Sequence, residues 1–193
     1  MTKDDVLDKA CSVSGPGGRR DYAGNLYDIA DQLPENCRIL EIGAQFGGSG
    51  VLMALTVKDR GGVVYSVDPG FVPVKKRPKY YEDFPILATL AQYMETAEKF
   101  GCEDIMFPLA GTSVEVIPRW PEERLLDLVF IDGDHTYECV KQDMQWLQFT
   151  KFGSMVALDD WIEPVRDACE EYLKDHPEWE LVTETIPRCY KHG

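Results

Sequence analysis

The sequence contains no long apolar run. Its longest nearly apolar stretches, such as Leu125–Ile131, fall far short of the roughly 20 residues that cross a bilayer, so no membrane partner is expected. The opening Met1-Thr-Lys-Asp-Asp-Val has no apolar core of the kind that marks a signal peptide, which predicts a cytoplasmic protein. No Cys-x-x-Cys pair occurs: Cys11, Cys37, Cys102, Cys139, Cys169 and Cys189 are scattered. That spacing argues against a zinc site and a disulfide framework, and leaves reduced, mostly buried thiols. Basic charge is scarce, with 20 Lys and Arg against 34 Asp and Glu, a net charge of −14. Such a surface repels phosphate backbones, so no nucleic-acid partner is expected. Also missing is the Gly-x-Gly-x-x-Gly turn that places a pyrophosphate on a helix N-terminus.

What is present is a soluble globular composition, 44% hydrophobic and 28% charged in 193 residues, enough for one α/β domain. Short apolar runs at Arg38–Ile42, Val63–Val67, Ile105–Leu109, Leu125–Ile131 and Met155–Leu158 predict five strands. Helical patterns at Ser49–Asp59, Pro85–Phe100, Ser113–Ile117, Thr136–Phe149 and Pro164–Lys174 alternate with them. Trp179–Thr183 and Arg188–His192 read as a closing hairpin. Residues 1–34, with helical patterns at Asp4–Cys11 and Asn25–Leu33, form a helical extension or lid on a domain spanning 35–193. The alternation implies a Rossmann-like, doubly wound sheet with helices on both faces. Ligands of such sheets sit beyond the carboxyl ends of the strands, near the switch point.

Three groups of residues lie at those ends. The first is the turn Glu41-Ile-Gly43-Ala-Gln-Phe-Gly47-Gly48-Ser49, whose glycines let backbone approach a ligand. A carboxylate two residues before Gly43 suits a ligand bearing an ammonium group rather than a diphosphate. The second is Asp68, which ends the second strand, where an acid accepts ribose hydroxyls. Thr112 and Ser113, after the third strand, have two roles open, against a nucleobase or as caps of the next helix. The third group is the strongest. Asp132 ends the fourth strand in Ile131-Asp-Gly-Asp-His135-Thr-Tyr137, and Asp159-Asp160 ends the fifth. Adjacent parallel strands would bring these acids together. Crowded carboxylates repel one another, a conflict that a divalent cation removes. Oxygen ligands with open positions suit Mg²⁺, with Mn²⁺ or Ca²⁺ accepted by the same set. The alternative role of Asp159-Asp160 is to cap a helix.

The turn resembles motif I of class I methyltransferases, which bind S-adenosylmethionine. The paired Asp motifs resemble the metal-dependent O-methyltransferases. The wording is nearer to small methyltransferase-domain proteins and antibiotic-sugar O-methyltransferases than to the catechol enzymes. The resemblance runs from about Ile39 to Trp161. It implies seven strands with the last antiparallel, and methyl transfer to a hydroxyl of a small molecule or sugar. Glu41, Gly43, Gly47, Gly48 and Ser49 would hold the methionine end, and Asp68 the ribose, with Thr112 and Ser113 near the adenine. Asp132, Asp159 and Asp160 would hold Mg²⁺. His135 stands where the catechol enzymes carry a catalytic lysine, so it either takes the substrate proton or only orients Asp132. The readings that compete are a nicotinamide oxidoreductase, and a methyltransferase-like protein with other or no activity. Lys75, Lys76, Arg77 and Lys79 form a basic island after Asp68. It is either a solvated loop or a clamp for an anionic acceptor. Nothing in the sequence decides for or against a homodimer through the hairpin edge.

Overall fold

A computed structural model describes residues 1–13, 20–76 and 88–193. Its centre is a seven-stranded sheet. β1 (Arg38–Ile42), β2 (Val63–Asp68), β3 (Met106–Ala110), β4 (Leu126–Ile131) and β5 (Thr150–Leu158) are parallel. β6 (Trp179–Thr183) and β7 (Arg188–His192) close it, with β7 inserted antiparallel between β5 and β6. The order is β3-β2-β1-β4-β5-β7-β6. Strand alternation divides the core in two. Ile39, Val64, Leu128 and Phe130 pack against α1 (Lys3–Val13), α2 (Arg20–Asp31), α3 (Gly48–Val57) and α4 (Leu90–Lys99). Leu40, Ile42, Val129 and Ile131 face α5 (Ser113–Val116), α6 (Tyr137–Asp143) and α7 (Glu163–Asp175). Buried on both faces, β4 has no polar side to show, apart from Asp127. That acid accepts the Arg38 backbone N–H at 2.8 Å and pairs with Lys151 at 2.8 Å.

The expected doubly wound architecture, with seven strands and one reversed, is the one observed. Four details differ. The expected helix Thr136–Phe149 is α6 followed by a 3-10 stretch, Met144–Phe149. β5 begins at Thr150, five residues before the apolar run, where its pairing with β4 is irregular. The helix expected from Pro85 starts at Leu90, capped by the Thr89 hydroxyl, and residues 85–87 lie outside the described chain. α2 starts at Arg20 rather than Asn25. Val6, Leu7 and Ala10 of α1 and Ala23, Leu26 and Ile29 of α2 join the same core as α3. Among the described residues no helix is long and apolar enough to cross a membrane.

From β1 the chain moves outward through β2 to β3, then returns to the other side of β1 as β4. The crevice between the ends of β1 and β4 is therefore the switch point. The Gly-rich turn opens on one side of it and Asp132 on the other.

Candidate active site

Sheet pairing continues past the strand ends and fixes the site. The Gly43 N–H bonds the Val67 carbonyl at 3.0 Å, the Asp132 N–H bonds Ile42 at 2.9 Å, and the Asp159 N–H bonds Ile131 at 2.9 Å. Gly43, Asp132 and Asp159 thus stand side by side across three strands. Gly43 has φ 89°, and a Cβ there would lie 2.0 Å from the Asp132 carbonyl oxygen. Only glycine permits that approach. Gln45, also left-handed at φ 44°, gives its N–H to Asp68 Oδ2 at 2.9 Å. Asp68 Oδ1 accepts the Gly70 N–H at 2.6 Å. A buried Asp68 therefore ties the Gly-rich turn to the end of β2.

Glu41 sits elsewhere than expected. It is fully buried, on the sheet face covered by α3. Ser66, its register partner on β2, donates a hydrogen bond to it at 2.7 Å. Ser49 and the Gly50 backbone also donate, and Tyr93 supports Ser66 at 2.8 Å. Burial pushes the Glu41 carboxyl up to about 7, against the pull of those donors. The expectation that Glu41 stands at the mouth to meet an ammonium group is corrected. It lies beneath the turn, and Gly47, Gly48 and Ser49 turn above it. Gly47 caps α3 at φ 86°, while Gly48 and Ser49 line a cavity.

The carboxylate cluster forms, with one change. Single ligand atoms of Asp132, His135 and Asp159 lie within 4.8 Å of one another. Asp160 stands on the far side of the imidazole, its Oδ2 3.5 Å from His135 Nδ1, while Nε2 is 3.6 Å from Asp132 Oδ1. A left-handed backbone at Asp160, φ 43°, turns the chain back there, a conformation Asp tolerates better than most. Burial and the nearby Asp159 push Asp132 well above the ordinary carboxylate range, with His135 opposing. His135 is raised, chiefly by Asp132. Among the described residues, Asp159 Oδ1 and His135 Nε2 are buried without hydrogen-bond partners. From α2 the Tyr22 phenol reaches the Asp159 side chain; burial and the two carboxylates raise its pKa. No sequence signal marked Tyr22. Asp134 accepts the Thr136 N–H at 2.9 Å, while the Thr136 hydroxyl caps α6.

Two cavities meet at Gly43, Gln45 and Asp132. One, about 480 Å³, runs under α1 and α2 past Gly48 and Ser49. The other, about 420 Å³, runs from Asp68 past Gly111, Thr112 and Ser113 to Asp143. Thr112 gives its N–H and hydroxyl to Glu115, closing the first turn of α5. Ser113 points into the protein: its hydroxyl donates to Asp143 Oδ1 at 2.5 Å and accepts from Trp146 Nε1 at 3.0 Å. Burial pushes Asp143 up to about 7. Sequence reasoning passed over Asp143, although an acid three residues after Val140 and four before Leu147, on the inward face, was the signal. Lys75 and Lys76 are exposed; Arg77 and Lys79 lie outside the described residues.

A family profile described as a methyltransferase domain matches residues 40–161. The chain belongs to the methyltransferase-domain family. Solved structures agree at the level of fold. The O-methyltransferase NovP is 18% identical, with 99% of each chain covered and a TM-score of 0.69. TomG from Streptomyces achromogenes, an O-methyltransferase of tomaymycin synthesis in complex with SAM, is 15% identical over 100% of this chain and 91% of that one, with a TM-score of 0.66. An O-methyltransferase from Bacillus cereus in complex with SAH is 15% identical over 97% and 88%, with a TM-score of 0.64. The crevice between β1 and β4 is thus the switch point of a methyltransferase domain.

Proposed function

We propose that this methyltransferase domain moves the methyl group of S-adenosylmethionine onto a hydroxyl oxygen of a small acceptor, with a divalent cation beside the acceptor. The observation that carries the reading is the set of unmet polar atoms at the switch point. Asp159 Oδ1 and His135 Nε2 are buried and have no hydrogen-bond partner among the described residues, and Asp132 is held above its ordinary range beside them. Buried polar atoms in native proteins nearly always have a partner, so these point to something that binds between them. Asp132 and Asp159, the two acids of the cluster, offer oxygen ligands that fit Mg²⁺, and the imidazole beside them would also admit Mn²⁺. When bound, the cation lowers the pKa of a coordinated hydroxyl.

The chain's own residues supply the rest. Gly43 and the turn through Ser49 leave room for the donor's methionine end in the cavity under α1 and α2. Asp68, at the end of β2 on the same edge, is the acid that would receive the ribose hydroxyls. His135 owes its raised proton affinity to Asp132 first, with Asp160 and Asp159 adding to it. Neutralising those carboxylates leaves a neutral imidazole able to accept the hydroxyl proton. Holding acceptor and donor in line accounts for much of the rate.

The test is a labelled-donor screen against phenolic and monosaccharide acceptors, with and without chelator. Turnover that stops in chelator, returns with Mg²⁺ and disappears in Asp159→Asn, with S-adenosylhomocysteine still binding, agrees with the reading. Full activity in excess chelator removes the cation from it. Calorimetry showing NAD binding and no S-adenosylhomocysteine binding overturns the donor assignment.

A further inference from the structure

A second opening reaches the carboxylate cluster from outside the two donor cavities. Arg20, Asp21, Tyr22, Asn25 and Ile186 line an open cleft of about 480 Å³ between the first turns of α2 and the turn that joins β6 to β7. Tyr22 also lines the cavity under α1 and α2, and its phenol reaches Asp159, so the inner wall of the cleft stands at the cluster. Asn25 ties the two sides together: its Nδ2 donates to the Ile186 carbonyl at 2.9 Å. Its Oδ1 accepts no hydrogen bond among the described residues, and neither does the Asp21 carboxylate. Arg20 brings no free cation, because its amino groups are taken by Asp4, at 2.7 Å, and by Asp8. Asp21 and Asn25 are one helical turn apart, which puts their Cβ atoms about 5–6 Å from each other on one face of α2. Among the described residues, the lining therefore presents two unmet acceptors and no unpaired cation.

We infer that this cleft is the acceptor subsite and takes an uncharged polyol ring: the hydroxyl to be methylated lies at Tyr22 and Asp159, and hydroxyls further out donate to Asn25 Oδ1 and Asp21. The inference rests on the function proposed above and deepens it by naming the acceptor's class. Hydroxyls suit this lining because each brings a proton to an oxygen that has none. Two acceptors about 5–6 Å apart are within reach of two hydroxyls of one six-membered ring. A carboxylate on the ring would meet Asp21 and the Asn25 oxygen with no cation to offset them, so the cleft rejects an anionic acceptor. A bare phenol would leave both outer acceptors unmet. Asp21 and Asn25 set specificity from a distance and do not touch the reacting atoms.

The experiment is a labelled-donor assay on the full chain with Mg²⁺ at low salt. The acceptors are the methyl glycosides of glucose, galactose and mannose, each beside its glycosiduronate, and catechol. The expected result for the wild type is a kcat/KM at least about tenfold higher for a glycoside than for its uronate, the order of effect of facing like charges. Asp21 is exposed, so replacing it leaves the core intact. Asp21→Lys reverses the charge in the cleft, and the ratio falls to near unity or below. Asp175→Lys makes the same change of net charge on α7, outside the cleft, and keeps the wild-type ratio. An unchanged ratio in Asp21→Lys makes Asp21 a bystander, and an equal fall in both variants makes the effect one of net charge; either overturns the inference. So does a wild type that takes uronates as readily as glycosides, or that methylates catechol and no glycoside, and those results leave the proposed function standing. A wild type that binds S-adenosylhomocysteine and methylates none of these acceptors also overturns the inference. One that does not bind S-adenosylhomocysteine at all overturns the reading beneath it.

Discussion

Glu41 and Asp132 are neighbours at the ends of adjacent strands, and both have carboxyls raised by burial, yet they are opposite kinds of acid. Glu41 is enclosed by Ser49, Ser66 and the Gly50 N–H, with Tyr93 behind Ser66. Asp132 faces a second carboxylate, with the His135 imidazole 3.6 Å away. The first is satisfied from within and holds the turn in place. The second is left in conflict, and the conflict is removed only by something that arrives. Burial alone does not distinguish structure from site; the fate of each lone pair does.

Gly43 separates the two acids, and breaking it breaks both. Gly43→Ala strains a left-handed backbone and drives a Cβ into the Asp132 carbonyl. It is expected to cost roughly 3–5 kcal/mol, read by urea unfolding. Next in size are opposite responses at the two acids. Glu41→Ala leaves the Ser49 and Ser66 hydroxyls without their acceptor and opens a cavity, lowering stability by about 3 kcal/mol, with Mg²⁺ affinity unchanged. Asp132→Asn relieves repulsion and raises the stability of the cation-free protein by about 1 kcal/mol, while lowering Mg²⁺ affinity at least about a hundredfold. If both variants shift stability in the same direction, the contrast is wrong.

The pH dependence sharpens the same contrast. Folding raises Glu41 from 4.5 to about 7, so the folded state binds that proton more tightly than the unfolded one. Its contribution is full below pH 4.5 and declines as pH rises to about 7, by something of the order of 3 kcal/mol taken alone. Denaturant midpoints measured from pH 4.5 to 8 should fall across that window, and fall less in Glu41→Ala. The smallest expected effect is Tyr22→Phe, which removes the phenol at Asp159. It costs about 1 kcal/mol of stability and weakens Mg²⁺ binding by about tenfold, both measurable by calorimetry.

Much of this was legible in the sequence, for reasons that differ by element. β4 and the hairpin strands stand out because buried or alternating apolar runs are a strong strand signal. Asp132 and Asp159 were placed together because parallel neighbours end at one edge. Strand alternation assigns a face but not a depth, so Glu41 was expected at the mouth; its burial depends on the Ser66 register and on α3 above it. Asp160 was separated from the other acids by one left-handed residue, which composition does not reveal. His135 took its place in the cluster. Tyr22 was invisible because its role depends on how α2 docks on α3. Thr136–Phe149 was read as one helix, but its last turns tighten to 3-10, leaving Asp143 at the end of α6 facing the cavity.

The most direct measurement of the central claim is titration of Mg²⁺ into the protein saturated with S-adenosylhomocysteine, beside Asp159→Asn. One cation per chain bound by the wild type, abolished in the variant and reversed by chelator, is the result predicted. Equal heats from both proteins, or none from either, would contradict it.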